Sequence, residues 1–234
     1  MIAFIPARGG SKSIPRKNIK LLGGKPLIVY TIEKAFASGI SRVIVDTDDE
    51  EIAKIANEYG AEVMMRPAEL AQDETSMFQV LKHEIPLIRP DPEIILLMSP
   101  TAPFRTVMHI NAAINFFANQ MEKYDSLMTV KRVPHEFNPA QVIISSSFGP
   151  HMADGRPLSN RVAKRQEYPN AYVTAGGLYL FKTSNLASGS FYGKNTLLME
   201  IDPDIDINSP EDWERAEHYL LANSELGPTI IEKK

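Results

Sequence analysis

The chain has 234 residues, 44% hydrophobic and 23% charged, with a formal net charge of −4 and no cysteine. This is ordinary globular composition, long enough to bury a sizeable core, and it argues against bulk nucleic-acid binding, disulfides and thiolate zinc sites. Its longest apolar runs, such as Ile94 to Met98, are far too short to span a membrane, and the apolar start ends at Pro6 with positive charge after it, unlike a signal peptide, so the expectation is a soluble cytoplasmic protein.

Met1 to Pro6 reads as a short, wholly apolar strand of the kind buried on both faces. Pro26 opens a helix that Gly39 stops. Ser41 to Asp48 is a second strand running into acidic residues. Asp49 then caps a helix with apolar residues at Ile52, Ile55, Ala56 and Tyr59, stopped by Gly60. Ala61 to Met65 is a third strand, Thr75 to Ile85 a helix that Pro86 interrupts, and Glu93 to Thr101 a very apolar and hence central strand. A helix over about 107–121 and a strand from Asp125 to Lys131 follow.

Such alternation predicts an α/β fold with a doubly wound, mostly parallel, Rossmann-like sheet, right-handed crossovers, and ligands at the carboxyl ends of the strands. From Arg132 to Thr174 the pattern changes: proline and glycine separate short β-like runs and no helix of useful length appears. A β-rich insertion of this kind serves as a lid or an oligomer contact. Strands resume at Ala175 to Phe181 and from Thr196, and Ser209 caps a last helix with Pro210 first and Glu211 and Asp212 in its first turn. The chain therefore reads as one domain over 1–234, with 132–174 as an insertion.

Three groups of residues bear on chemistry. Arg8, Lys12, Arg16, Lys17, Lys20 and Lys25 all precede the first acidic residue, Glu33, so this segment is expected to meet an anion from outside. Its R-G-G-S-K-S-I-P-R-K-N stretch fits neither the Walker A spacing nor the dinucleotide fingerprint. The adjacent Gly9 and Gly10 nevertheless let backbone N–H groups turn toward an anion, and arginine and lysine add charge-assisted hydrogen bonds. A solvated basic loop is the alternative, disfavoured by the position directly after a strand. Asp204 and Asp206 alternate on an expected strand and so share a face. Either they hold a hard divalent cation such as Mg²⁺ or they sit harmlessly on an exposed edge. In V-D-T-D-D, capping accounts for Asp49 but leaves ligand contact open for Asp46 and Asp48. None of the five histidines has metal-ligand spacing, while Trp213 and the methionines read as core.

Taken together, I-P-A-R-G-G-S-K-S-I-P-R-K-N, V-D-T-D-D, R-P-A-E-L-A-Q-D, S-P-T-A-P-F-R, R-Q-E-Y-P and D-I-D-I-N-S-P-E-D resemble the acylneuraminate cytidylyltransferases. These are the CMP-sialic acid synthetases, with relatives that activate legionaminic and similar acids. The resemblance runs from residue 1 to about 222, in the family's order. It implies Mg²⁺-dependent transfer of CMP from CTP to a nonulosonic acid, with release of pyrophosphate. By position, Arg8, Lys17 and Asn18 fall where the family holds the triphosphate, and Gly9, Gly10, Ser11 and Lys12 line the same loop. Arg66 falls where the family contacts cytosine, with backbone near Thr75. Asp204 and Asp206 fall on the metal pair, so Arg8, Lys17 and Asp206 are the residues expected to carry catalysis. Arg165 falls near the phosphates or the sugar, and 132–174 on the region that makes the homodimer.

Three positions depart from the bacterial sialic acid enzymes: Ser99 stands for a glutamine, and Val173 and Ala175 for an arginine and an asparagine. All three belong to the sugar side, with Arg165. A site that lacks those polar groups is expected to reject a sugar whose own polar groups would go unpaired, so N-acetylneuraminate is expected to be a poor substrate. Two other readings remain open at this point: another sugar nucleotidyltransferase of the same fold, and a nucleotide-binding module without catalysis.

Overall fold

The computed structural model describes residues 1–147, 149–162, 164–201 and 205–223. Its strands are β1 (Ile2–Pro6), β2 (Leu21–Leu22), β3 (Lys25–Pro26), β4 (Val43–Thr47), β5 (Glu62–Met65), β6 (Ile94–Met98), β7 (Ser126–Arg132), β8 (Ile143–Ser146), β9 (Gly149–Met152), β10 (Tyr172–Lys182) and β11 (Thr196–Glu200). Between them lie α1 (Leu27–Ala37), α2 (Glu50–Glu58), α3 (Met77–Glu84) and α4 (Val107–Ala118), with α5 (Pro210–Ala222) last. The main sheet runs β11-β7-β10-β6-β1-β4-β5. Every pairing in it is parallel except those of β10, which is antiparallel to both β6 and β7.

The central strands are apolar at consecutive positions because both faces of the sheet are covered. Ala3, Ile5, Val43, Val45, Leu96 and Met98 pack with Ile28 and Ile32 of α1, Ala56 of α2 and Phe117 of α4. Their immediate neighbours Ile2, Phe4, Ile44, Ile95 and Leu97 point the other way, toward Leu81 of α3. Burying each large apolar side chain contributes roughly 1.5–3 kcal/mol. A third cluster seats Trp213 and Ala216 of α5 against Ile14, Leu22 and Leu27, together with Ile207. That cluster fastens the far end of the described chain onto the opening loop.

Helix starts follow the expected chemistry. The Asp49 carboxylate accepts the N–H groups of Glu51 and Ile52, both at 3.0 Å, and Ser209 forms a capping box with Asp212. The helix expected from Thr75 begins two residues later, where Ser76 and Gln79 form another box.

Two expectations need correction. Asp206 is not on a strand: β11 ends at Glu200, and 205–208 is irregular. There the Ile207 N–H donates to the Thr101 carbonyl (2.8 Å) and its side chain is buried in the third cluster, so core attachment replaces sheet pairing. Asp204, its expected partner, lies outside the described residues. The methionines are not uniformly core either. Met98 is buried, but Met65 on the edge strand β5 and Met108 in the first turn of α4 are exposed. Segment 132–174 holds the β8–β9 hairpin and short 3₁₀ turns. No helix among the described residues is long and apolar enough to cross a membrane.

Lys34 of α1 is partly buried beside Arg105 and Lys25, and its Nζ donates to the Pro103 carbonyl. Burial, more than the two neighbouring cations, pushes its pKa from 10.5 down to about 8. Below pH 8 both folded and unfolded chains hold the proton, and the cost of burying the charge is fully present. Between pH 8 and 10.5 the folded chain releases the proton while the unfolded chain keeps it, so stability rises with pH. Relative to Lys34→Met, wild type should gain on the order of 3 kcal/mol across that window, measured by denaturant unfolding. A difference that stays flat with pH would contradict the burial.

Candidate active site

The order β6-β1-β4 places the segments that follow these strands at one edge of the sheet, where they converge. A cavity of about 480 Å³ opens there, lined by Arg8, Ser11, Lys12, Lys17 and Asn18 of the opening loop, by Arg66, Asp73 and Thr75, and by Ser99 and Thr101 after β6. A second cavity of about 290 Å³ adjoins it, lined by Ala175, Gly176, Gly177, Tyr179, Phe191, Tyr192 and Asp206. Pro6, Met77 and Ser99 line both. Ser99 thus stands in the shared wall, its hydroxyl 2.7 Å from that of Thr101.

The six leading cations are not all waiting for an outside anion. Arg16 pairs with Asp49 and Glu51, Lys25 with Glu33 (2.5 Å), and the Lys20 ammonium lies 4.1 Å over the Trp213 ring. Asp49 and Glu51 are more than thirty residues from Arg16, so sequence distance concealed the neutralisation. Arg8, Lys12 and Lys17 are the three that line the cavity. Of these, Arg8 (2.9 Å) and Lys12 (2.5 Å) share the Asp73 carboxylate. Those two hydrogen-bonded cations, Lys12 foremost, hold Asp73 below the usual carboxylate range. Lys17 donates to the Ile207 carbonyl (2.9 Å), and burial lowers its pKa while Asp206 opposes the shift. Asn18 is buried and donates to the Arg8 carbonyl (2.9 Å), which fixes the loop.

V-D-T-D-D serves as a brace. The Gly9 N–H donates to Asp48 (2.9 Å), and a Cβ at Gly9 would lie 2.6 Å from an Asp49 oxygen, so only glycine fits there. Neither Gly9 nor Gly10 lines the cavity. Asp46, wholly buried, receives the Nε of Arg66 at 3.0 and 3.2 Å and also its Nη2. Burial raises the Asp46 pKa, and the hydrogen bonds from Arg66 oppose that rise.

The second cavity depends on Arg105. Its buried guanidinium donates to the carbonyls of Ser99, Gly176 (2.5 Å) and Gly177 (3.1 Å) and to the Thr31 hydroxyl (2.8 Å). On the sugar side of the expectations, Ala175 lines the cavity and is buried, whereas Val173 is exposed on β10 and lines neither cavity. Arg165 begins a short turn over 165–167, and its side chain lies outside what is described. Sequence reasoning missed Asp73, Arg105 and the aromatic wall of Tyr179, Phe191 and Tyr192. A charged residue in R-P-A-E-L-A-Q-D and an arginine ending S-P-T-A-P-F-R were the available signals for the first two; F-Y at 191–192 offered none, since aromatic pairs are usually core.

Among the described residues no cluster of three or more histidine or acidic side chains could hold a metal ion. Asp206 presents a single exposed carboxylate to the second cavity, oriented by the Asn208 amide (2.8 Å). That donor set fits Mg²⁺, which takes one or two carboxylates and completes its shell with water and phosphate oxygens.

The sequence profile of the family described as cytidylyltransferase matches residues 2–146. An N-acylneuraminate cytidylyltransferase of Escherichia coli O18:K1:H7 is 35% identical over 228 residues, 92% of this chain and 51% of that protein. A CMP-N,N'-diacetyllegionaminic acid synthase of Legionella pneumophila is 31% identical over 96% of this chain and 98% of its own length. The chain spans about half the length of the N-acylneuraminate cytidylyltransferases it matches from E. coli and Danio rerio. In fold it is similar to a CMP:2-keto-3-deoxy-manno-octonic acid synthetase complexed with CTP, with a TM-score of 0.72 at 16% identity over 95% of this chain and 98% of that one. Profile, relatives and the sheet with its convergent loops agree: this chain belongs to the cytidylyltransferase family.

Proposed function

We propose that the chain transfers CMP from CTP to the anomeric hydroxyl of a nonulosonic acid. The observation that carries this reading is the pair of adjoining cavities of unlike character, one lined by four cations, Arg8, Lys12, Lys17 and Arg66, and the other by three aromatic rings with Asp206. On this reading Arg8, Ser11, Lys12, Lys17 and Asn18 hold the triphosphate, Gly9 and Gly10 shape the loop that carries them, and Arg66 meets the base beside Thr75. Ser99 and Ala175 face the sugar, Arg165 is assigned to the same side, and Val173 is withdrawn from it because it lines neither cavity. Asp204 and Asp206 would hold Mg²⁺, which supplies charge neutralisation on the phosphates when bound.

The reaction this arrangement would support is a displacement at the α-phosphorus. The sugar's anomeric oxygen forms the new P–O bond, the bond to the β-phosphate bridging oxygen breaks, and pyrophosphate leaves as the hydroxyl proton passes to solvent. Catalysis here is positioning and electrostatics. The cations bind charge that shifts toward the leaving group, and Ser99 in the shared wall keeps sugar and α-phosphate adjacent. Ser99 and Ala175 offer the sugar little hydrogen bonding, which supports a nonulosonic acid other than N-acetylneuraminate. A CTP-consuming reaction and a cysteine-free chain suit the cytoplasm.

We also propose a homodimer through the insertion, because Phe137, Ile143, Ile144, Leu158 and Val173 expose apolar surface on 132–174. Light scattering should give the mass of two chains; a monomer at micromolar concentration would refute this.

Pyrophosphate release with CTP, Mg²⁺ and a panel of nonulosonic acids, Kdo included, tests the activity. We expect turnover with a legionaminic or pseudaminic type acid and CTP far ahead of UTP. Turnover of N-acetylneuraminate as fast as any analogue would sink the specificity argument, and turnover only with sugar 1-phosphates would sink the activity. In Asp206→Asn the rate should fall on the order of a hundredfold. An unchanged rate would remove Asp206 from the machinery.

A further inference from the structure

We propose that Asp46 is a positioning residue that fixes the Arg66 guanidinium so that one amine, Nη1, reads the acceptor edge of cytosine. This rests on the CTP reading above and names the device behind its base preference.

The pair is built from the backbone outward. Asp46 sits on β4 between β1 and β5, in register with Pro6 and Met64. Its carbonyl accepts the Ala7 N–H (2.8 Å), and the Arg66 N–H donates to the neighbouring Thr47 carbonyl (2.8 Å). Both main chains are therefore held before their side chains meet. The carboxylate then takes Nε and Nη2 together. Asp46 is 0% and Arg66 7% exposed, so water does not offer the guanidinium a competing orientation. A two-point contact between planar groups also fixes the guanidinium plane. Glu84, a second buried acid nearby, makes its described bond to His83 (3.1 Å) and not to Arg66. Asp46 is thus the carboxylate that sets the geometry.

With Nε and Nη2 occupied, Nη1 remains, with no hydrogen-bond partner among the described residues, on a side chain that lines the larger cavity. Cytosine presents O2 and N3 as adjacent acceptors, between which one Nη1 N–H can be shared. Uracil presents a donor at N3, which would face that N–H and leave the N3 side unpaired in a buried place. Arginine freed from its carboxylate could swing to meet uracil O2 alone, so discrimination depends on the anchor as well as the reader.

Calorimetric binding of CTP, UTP and inorganic tripolyphosphate to wild type, Asp46→Asn and Arg66→Lys tests this. In Asp46→Asn we expect CTP to bind about tenfold more weakly, the loss of roughly one charge-assisted hydrogen bond. We expect the preference for CTP over UTP to fall with it, and tripolyphosphate affinity to stay within about twofold, since the cations are untouched. Arg66→Lys, which keeps a charge for Asp46 but has no second amine, should show the same pattern and stands in if Asp46→Asn fails to fold. An unchanged CTP-to-UTP ratio in either folded variant overturns the proposal, as does a tripolyphosphate loss equal to the CTP loss, which marks general damage. Wild type that binds UTP as well as CTP would instead overturn the CTP reading itself.

Discussion

Arg105 is the interaction on which the site's shape depends. Its guanidinium, 1% exposed as a residue, gathers the carbonyls of Ser99, Gly176 and Gly177 and the hydroxyl of Thr31. These atoms belong to the end of β6, the irregular middle of β10 and helix α1. The register of β10 on β7 shifts between Thr174 and Tyr179, and the glycines there have φ of +70° and +52°. A Cβ would lie 2.1 Å from Ile201 at Gly176 and 2.6 Å from Ser99 at Gly177. Carbonyls turned inward by such a bulge need donors, because an unpaired buried acceptor costs about 1–3 kcal/mol. Arg105 supplies Gly176 and Gly177, the Ser99 N–H also donates to Gly177, and the Thr129 hydroxyl serves Ala175, so that together they hold the wall between the two cavities.

Charge placement follows a second constraint. Cations in a cavity must be solvated, paired or filled, and the opening loop uses all three. Arg16 and Lys25 are paired outside the cavity, and Lys20 lies on an aromatic face. Arg8 and Lys12 share Asp73, about a third exposed in each of Arg8 and Asp73, so solvent screens that bridge and an incoming polyanion can replace it. Asp46 with Arg66 is the opposite case: desolvated, bidentate and costly to break. The site therefore combines one exchangeable ion pair with one permanent pair.

Much of this was legible in the sequence, for local reasons. The apolar runs of β1, β4 and β6 and the caps at Asp49 and Ser209 follow from periodicity and side-chain chemistry within a few residues. The convergence of three loops followed from strand order in a doubly wound sheet. What was not legible depends on contacts across long stretches of chain. Arg105 reaches residues more than seventy positions away, Arg16 reaches Asp49, and Asp46 reaches Arg66. The same holds at Asp206, where alternating residues suggested a strand but burial of Ile207 and its bond to Thr101 chose another path. Motif resemblance located Lys17 and Arg66 at the cavity, but it could not show that Val173 points away from it.

The central claim is that the cation-lined cavity is the nucleotide compartment and the aromatic-walled cavity the acceptor compartment. A crystal structure of the chain grown with CTP and Mg²⁺ tests it most directly. Cytosine should lie against Arg66 and the triphosphate among Arg8, Lys12 and Lys17 with Asp73 displaced, leaving the aromatic wall for the sugar. CTP with its base stacked on Tyr179, Phe191 or Tyr192, and Asp73 still joined to Arg8 and Lys12, would contradict it.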